Sequence, residues 1–319
     1  MSRTRVIAGI ALIALFVAAG IGYVSWKAST ANAGGGTQSS TLDLSRAGTV
    51  LYVDRSSTVR QVLRDRPDQV VGTGPKCQRV YAAAGTLGCL RSNAVPMSAE
   101  LDIYRDGDLT ESATSLHVWG DPSRVRVSAD GRLVGWTVFR LGDSYLKQGA
   151  FSTTAGIFDL SNGAHYGSLE DFTTLVDGGP YRAEDLNFWG VTFLKDDTTF
   201  YATMASKGRT WLLRGDLRTR EMTPLRENVE CPSVSPDQTR IAYKYRTGNR
   251  WRLHVLNLAT GADHPLAETA HIDDQAIWLD DQTVAYGKND GSGPAVFTVP
   301  ADGSGAPRRL LAGSSPVPL

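Results

Sequence analysis

The chain has 319 residues, of which 41% are hydrophobic, and its 33 Lys and Arg balance its 33 Asp and Glu. This balance excludes the strongly positive surface that draws proteins to nucleic acid, so no nucleic-acid partner is expected. The 33 glycines, beside only four methionines and three cysteines, favour many short strands joined by tight turns over a helical bundle.

An uncharged segment runs from Val6 to Trp26, after a short N-terminus at residues 1–5 that contains two arginines. At about 1.5 Å of rise per residue, a helix of this length crosses a bilayer core of about 30 Å. Positive charge before such a segment stays in the cytoplasm, so the chain that follows it is expected outside. The sequence predicts a transmembrane or signal-anchor helix over 6–26.

A second interpretation concerns Ala31-Asn32-Ala33, which matches the small-x-small pattern of a signal-peptidase site. Cleavage after Ala33 would release a secreted protein instead of a single-pass membrane protein. Residues 27–48 include AGGGTQSS and are predicted to be a flexible tether, with the folded domain over 49–319.

A repeated pattern of strand, polar turn with Asp, and strand marks the second half of the chain. In such a turn the Asp carboxylate can accept backbone N–H bonds. From Asp197 to Asp237 to Asp281 the spacing is about 40 to 45 residues, the period of one propeller blade. The four segments are VSADG at 127–131, FLKDD at 193–197, VSPDQ at 234–238 and WLDDQ at 278–282.

A second hairpin follows each of these segments, so that two hairpins make a four-stranded unit. The predicted turns of the second hairpins are 161–163, 218–220, 259–261 and 301–303.

The copy VSPDQTRIAYKYRTGNRWRLHVLNLATGADHPL resembles the WD40-like PD repeat of TolB-type propellers, and weaker copies extend the resemblance over Val125 to Leu311. The resemblance implies an all-β propeller of four-stranded blades and an interaction role at the cell envelope, without a specific partner.

The blade count depends on the part of the chain before this span. Arg79–Arg91 with Glu100–Leu109 is predicted to form a further, degenerate blade, and Thr49–Val53 with Arg60–Leu63 a single hairpin. Five blades plus a hairpin predict a six-bladed ring whose closing blade is shared by the two chain ends. A five-bladed ring with an added hairpin is the alternative.

Cysteine usage agrees with an oxidising compartment. Cys77 and Cys89 flank RVYAAAGTLG, a strand followed by a Gly-containing turn, and are predicted to form a disulfide. Cys231 is expected to be a buried, unpaired thiol with a structural role.

No catalytic motif stands out. The five histidines lack zinc-site spacing, and no metal or other cofactor is predicted. The acidic pairs Asp196-Asp197, Asp273-Asp274 and Asp280-Asp281 coincide with predicted blade turns, so they are interpreted as solvated turn residues. The alternative is a lyase or glycan hydrolase that uses acidic residues at the channel mouth.

Two segments lengthen the repeat, Arg140–Ala150 and Leu169–Leu186, and departures from a repeat are where binding surfaces are grafted. Both combine aromatic and charged side chains, which suits polar recognition with aromatic anchors. They predict a non-enzymatic binding or scaffold module for a protein or cell-envelope ligand. The candidate partner-binding residues are Asp143, Tyr145, Lys147, Asp171, Phe172, Tyr181, Arg182 and Glu184.

Overall fold

The computed structural model describes residues 42–95, 97–105, 109–140 and 152–319. Over these ranges the chain is built of β-strands in six sheets, with one 3-10 turn as the helical element of the described residues. The segment 6–26 lies outside the described residues, and no helix within them has the length and apolar character needed to cross a membrane.

The sheets are the blades of a six-bladed propeller and are numbered here in chain order. Blade 1 begins with β1 (Thr49–Val53), β2 (Thr58–Leu63) and β3 (Val70–Lys76). Blade 2 contains β4 (Arg79–Ala83), β5 (Thr86–Ser92), β6 (Ser98–Arg105) and β7 (Thr114–Trp119). Blade 3 contains β8 (Asp121–Val127), β9 (Leu133–Arg140), β10 (Ser152–Asp159) and β11 (Ala164–Tyr166).

Blade 4 is the largest, with six strands. An insertion contributes the 3-10 turn η1 (Leu169–Asp171), β12 (Thr173–Val176) and β13 (Gly179–Pro180). The blade itself contains β14 (Asn187–Phe193), β15 (Thr199–Ser206), β16 (Arg209–Asp216) and β17 (Glu221–Glu227). Blade 5 contains β18 (Glu230–Val234), β19 (Arg240–Thr247), β20 (Arg250–Asn257) and β21 (Asp263–Pro265). Blade 6 contains β22 (Ile277–Asp280), β23 (Thr283–Asn289), β24 (Pro294–Pro300) and β25 (Arg308–Ala312).

Ring closure uses both ends of the described chain. The last strand, β26 (Ser314–Pro318), is the fourth strand of blade 1 and pairs antiparallel with β1, with Leu51 opposite Val317. Further backbone bonds join Gly48 N to the Leu319 oxygen at 2.9 Å and Leu319 N to the Thr49 oxygen at 3.0 Å. The predicted shared closing blade and six-bladed ring are confirmed, and the five-bladed alternative is wrong.

The folded chain begins before Thr49. Leu42 is buried against blade 1, and Asp43 N donates to Gln61 Oε1 at 2.9 Å. Residues 42–48, predicted to be the end of a flexible tether, are therefore folded, because Leu42 covers apolar surface that blade 1 would otherwise expose.

The Asp turns have the predicted local chemistry. Asp130 Oδ1 accepts from Arg132 N and Asp237 Oδ1 accepts from Thr239 N, each at 3.0 Å. In blades 4 and 6 the first member of each acidic pair has this role: Asp196 accepts from Thr199 N at 2.7 Å and Asp280 from Gln282 N at 2.8 Å. The second members of these pairs, Asp197 and Asp281, lie beside the neighbouring blade.

The core fills the spaces between the blades. Two central strands carry a large aromatic residue opposite a glycine, Trp136 opposite Gly156 and Phe200 opposite Gly215. A Cβ atom on either glycine would lie 2.3 or 2.1 Å from the aromatic ring, so each ring lies flat on the neighbouring strand only because that strand has no side chain there.

The predicted disulfide is confirmed. Cys77, in the connection between β3 and β4, is bonded to Cys89 of β5, and both residues are buried. The bond fastens the crossing between the shared closing blade and blade 2. Cys231 is a buried free cysteine, and burial raises the pKa of its thiol.

Replacing both bonded residues, Cys77→Ala with Cys89→Ala, is expected to lower the free energy of unfolding by about 3 kcal/mol, because the short covalent loop no longer restricts the unfolded chain. Denaturant unfolding of the two proteins, with and without dithiothreitol, measures this. The reductant should destabilise the parent protein and leave the double variant unchanged. A parent protein whose unfolding midpoint does not respond to reduction would contradict the expected contribution.

Candidate functional site

The insertion between β11 and β14 is held at the outer edge of blade 4. Its strand β12 runs parallel to β17, which is the outermost of the four strands that form blade 4 without the insertion. Thr173 of β12 lies opposite Glu221 of β17. The Ser168 hydroxyl accepts from Glu170 N at 3.1 Å and begins η1. Asp177 and Gly178 have φ of 51° and 79°, and this left-handed pair makes the tight turn to β13.

A cavity of about 650 Å³, called here the insertion pocket, lies where the insertion meets blade 4. Its volume is within the range of small-molecule pockets, about 300–1,000 Å³. The five candidate residues that the sequence places in the insertion all line it. They are Asp171, Phe172, Tyr181, Arg182 and Glu184.

These residues form a pocket with an apolar floor and a charged rim. Phe172 is buried and packs edge-to-face on Phe200, with ring centroids 5.9 Å apart. Tyr181 is half-buried, whereas Asp171, Arg182 and Glu184 are exposed. Phe172 therefore supports the pocket from the core, and the charged side chains face solvent.

A hydrogen-bond chain fixes Tyr181. Its hydroxyl lies 3.0 Å from Ser206 Oγ, which donates to Asp185 Oδ1 at 2.7 Å, and Lys207 N donates to the other oxygen of Asp185. The Ser206 and Lys207 bonds hold the pKa of Asp185 below its usual value. Lys207 Nζ also lies over the Tyr181 ring, 5.4 Å from its centroid. The insertion is thus pinned to the β15–β16 turn by residues that the sequence pattern does not indicate.

The other candidate residues, Asp143, Tyr145 and Lys147, lie outside the described residues. They remain a prediction from the sequence.

A second concave region, called here the channel mouth, is a cavity of about 370 Å³ at one end of the ring axis. Lys244 Nζ lies 2.7 Å from Asp273 Oδ1, and an Arg124 nitrogen lies 2.8 Å from Asp274 Oδ1. Asp273 and Asp274 precede β22 and contact side chains of blades 5 and 3. Asp273 is exposed, as the interpretation as a solvated residue expects, whereas Asp274 is half-buried, and the ring brings both to cations that are distant in sequence.

The third carboxylate of the channel mouth is also paired. Glu230 is buried, and its Oε1 accepts from Arg246 Nε and from Trp251 Nε1, both at 2.9 Å.

Burial acts to raise the pKa of Asp273, but the ion pair with Lys244 has the larger effect, so the pKa of Asp273 is lowered. Within the described ranges, no cluster of three or more His, Cys, Asp or Glu has the arrangement of a metal site.

Asp185→Ala is expected to loosen the insertion without unfolding the ring. Asp185 accepts two hydrogen bonds, and the loss of each costs about 1 kcal/mol net, so hydrogen exchange over 173–186 should quicken about fivefold or more, as read by mass spectrometry. In the parent protein, the contribution of Asp185 to the stability of the insertion is present above about pH 4. It is lost as the pH falls through the lowered folded-state pKa of Asp185, so the protection factors over 173–186 should fall in acid. The exposed Glu184→Ala is the control, and equal exchange in both variants would contradict the pinning role.

No family model and no curated protein matches the sequence. Similar solved structures include TolB from Acinetobacter baumannii, at 16% identity over 85% of this chain and 66% of that chain, with a TM-score of 0.61. A putative TolB from Agrobacterium tumefaciens has 12% identity over 84% of this chain and 90% of that chain, with a TM-score of 0.51.

An enzyme is also similar in fold. A puromycin-hydrolysing peptidase from Mycobacterium tuberculosis has 13% identity and a TM-score of 0.51 over 86% of this chain and 45% of its own. At these identities the similarity establishes the architecture alone. With its repeat chemistry, blade count and closing strand, the chain has the fold of a TolB-like six-bladed β-propeller.

Proposed function

We propose that the chain is a non-enzymatic binding or scaffold module, displayed outside the cytoplasm, that docks a protein or cell-envelope ligand at the insertion pocket. The observation that carries this proposal is the insertion itself. It departs from the blade repeat, adds two strands to blade 4 and frames a cavity of about 650 Å³. Connections that interrupt a regular scaffold commonly carry function.

The pocket is organised before any ligand arrives. Tyr181 is held by Ser206 and by the cation of Lys207, so little side-chain entropy is lost when a ligand packs on its ring. Aromatic residues in such positions commonly provide most of the binding energy of an interface. The exposed charges of Arg182 and Glu184 supply both signs for polar recognition.

The proposed compartment rests on the N-terminal sequence and the disulfide. The segment 6–26 is apolar enough for membrane insertion, and a buried disulfide is typical of proteins outside the cytoplasm.

The alternative, an enzyme with acidic residues at the channel mouth, is less well supported. Glu230 and Asp273 line the channel mouth and Asp274 is adjacent in sequence to Asp273, but each of the three carboxylates is engaged by a cation. A general acid needs a raised pKa, and the ion pair with Lys244 lowers that of Asp273. We therefore assign these pairs a structural role.

A photo-cross-linking amino acid at position 182 tests the docking site, with the same group at Val70 as the matched control. Val70 is 49% exposed and lies on blade 1. In membranes from cells that express the full chain, we expect a specific adduct from position 182 and none from position 70. Identical adducts from both positions would contradict a docking site at the insertion.

With the cross-linked partner identified, Tyr181→Ala is expected to weaken its binding at least tenfold, because the aromatic anchor is lost. Tyr181→Phe keeps the ring and should bind within about threefold of the parent protein. Melting curves of both variants provide the folding control. Undiminished binding by a Tyr181→Ala variant that melts like the parent would overturn the proposal.

A further inference from the structure

Two arginines from neighbouring blades converge at the floor of the channel mouth. Arg79 of β4 and Arg124 of β8 are called here the arginine pair. Arg79 Nε and an Arg124 terminal nitrogen both donate to the Ser123 carbonyl oxygen, at 2.7 and 2.6 Å. Both side chains line the cavity of about 370 Å³. Two positive groups thus share one neutral acceptor atom.

Only one of the two positive charges of the arginine pair has an ion-pair partner among the described residues. Arg124 has Asp274 at 2.8 Å, whereas Arg79 forms no ion pair with any described residue, and Ser123 is its one hydrogen-bond acceptor among them. Burial and then repulsion from Arg124 lower the pKa of Arg79 to about 10. Arg124 Nε is buried without an acceptor in the described chain. One positive charge and several N–H donors are therefore left for a ligand.

A third arginine lies deeper along the axis. Arg126, the next inward-facing residue of β8, is buried and donates to the Ala276 carbonyl oxygen at 2.8 Å. Its guanidinium lies over the Tyr81 ring, 4.8 Å from the centroid. It likewise forms no ion pair within the described ranges, so the positive potential at the floor extends inward.

The wall above the arginine pair contains three aromatic side chains, and its charged side chains are paired with one another or with neighbouring residues. Trp189, Trp251 and Phe139 line it. The charged side chains of the wall are already paired, Lys244 with Asp273 and Arg246 with Glu230. A ligand that fits has a negative head at the floor and an apolar body along the wall.

We propose that the arginine pair binds the carboxylate of a small organic acid whose apolar portion lies against the aromatic wall of the channel mouth. A carboxylate has two oxygens in one plane, which match the planar donor fork of a guanidinium. A single negative charge also suits the site better than a doubly charged phosphate, because Asp273 and Asp274 are close by. This site is separate from the insertion pocket and goes beyond the function proposed for it.

The unmodified full chain allows the first test, by calorimetry and tryptophan fluorescence with three probes. We expect 3-phenylpropionate to bind at least tenfold more tightly than the neutral 3-phenylpropan-1-ol and than inorganic phosphate. Equal binding of the alcohol, tighter binding of phosphate, or no binding of 3-phenylpropionate would overturn the proposal.

The same assay distinguishes the source of the carboxylate. A short peptide ending in Phe with a free C-terminus is compared with its amide. Weaker binding of the free-acid peptide than of 3-phenylpropionate supports a free organic acid as the ligand. Binding of the peptide amide as tightly as the free-acid peptide overturns recognition of the carboxylate.

Arg79→Gln is expected to weaken 3-phenylpropionate binding at least tenfold. Arg309→Gln is the control, because Arg309 forms an exposed ion pair with Asp290 on blade 6 and should not affect binding. If Arg79→Gln lowers the melting temperature, Arg79→Lys retains the charge but not the fork and should bind with intermediate affinity. Parent-like binding by folded Arg79→Gln would overturn the assignment, and the probe comparison on the unmodified chain stands whether or not a variant folds.

Discussion

The pairing of β26 with β1 is the constraint on which the rest of the structure depends. It completes blade 1 with a strand from the far end of the described chain, with Val50 opposite Pro318 and Leu51 opposite Val317. Without it, β1 would present an unpaired edge. Closure also forces the innermost strands of all six blades around one axis, so residues that are far apart in sequence become neighbours there.

The composition of the channel mouth follows from this geometry. Inner strands contribute charged side chains to a confined space, and burying a charge without a partner is costly. Lys244 is accordingly paired with Asp273, and Arg124 with Asp274 across 150 positions of sequence. Arg79 and the deeper Arg126 form no ion pair with any described residue, which is why the site departs from a purely structural arrangement of charges.

Features set by local chemistry were predictable from the sequence. The turn around Asp237 depends on Ser235 and Thr239 within the same turn, and the bond between Cys77 and Cys89 joins residues only 12 positions apart in sequence. The insertion was recognisable because it breaks the repeat. Asp273-Asp274 and Asp280-Asp281 look alike in sequence, yet only the second pair lies in a blade turn, and the difference depends on long-range packing. The bond from Ser206 to Asp185 likewise exists only in the folded ring.

Ring closure is tested most directly by ending the chain after Gly313, which removes β26 and leaves the other strands intact. Denaturant unfolding of the shortened and full-length proteins, followed by tryptophan fluorescence and by circular dichroism, is the measurement. We expect the shortened protein to lose the single cooperative transition of the parent, and a synthetic peptide of residues 314–319 to restore part of it. A shortened protein that unfolds at the same denaturant concentration, with the same cooperativity, would show that the ring does not depend on this closure.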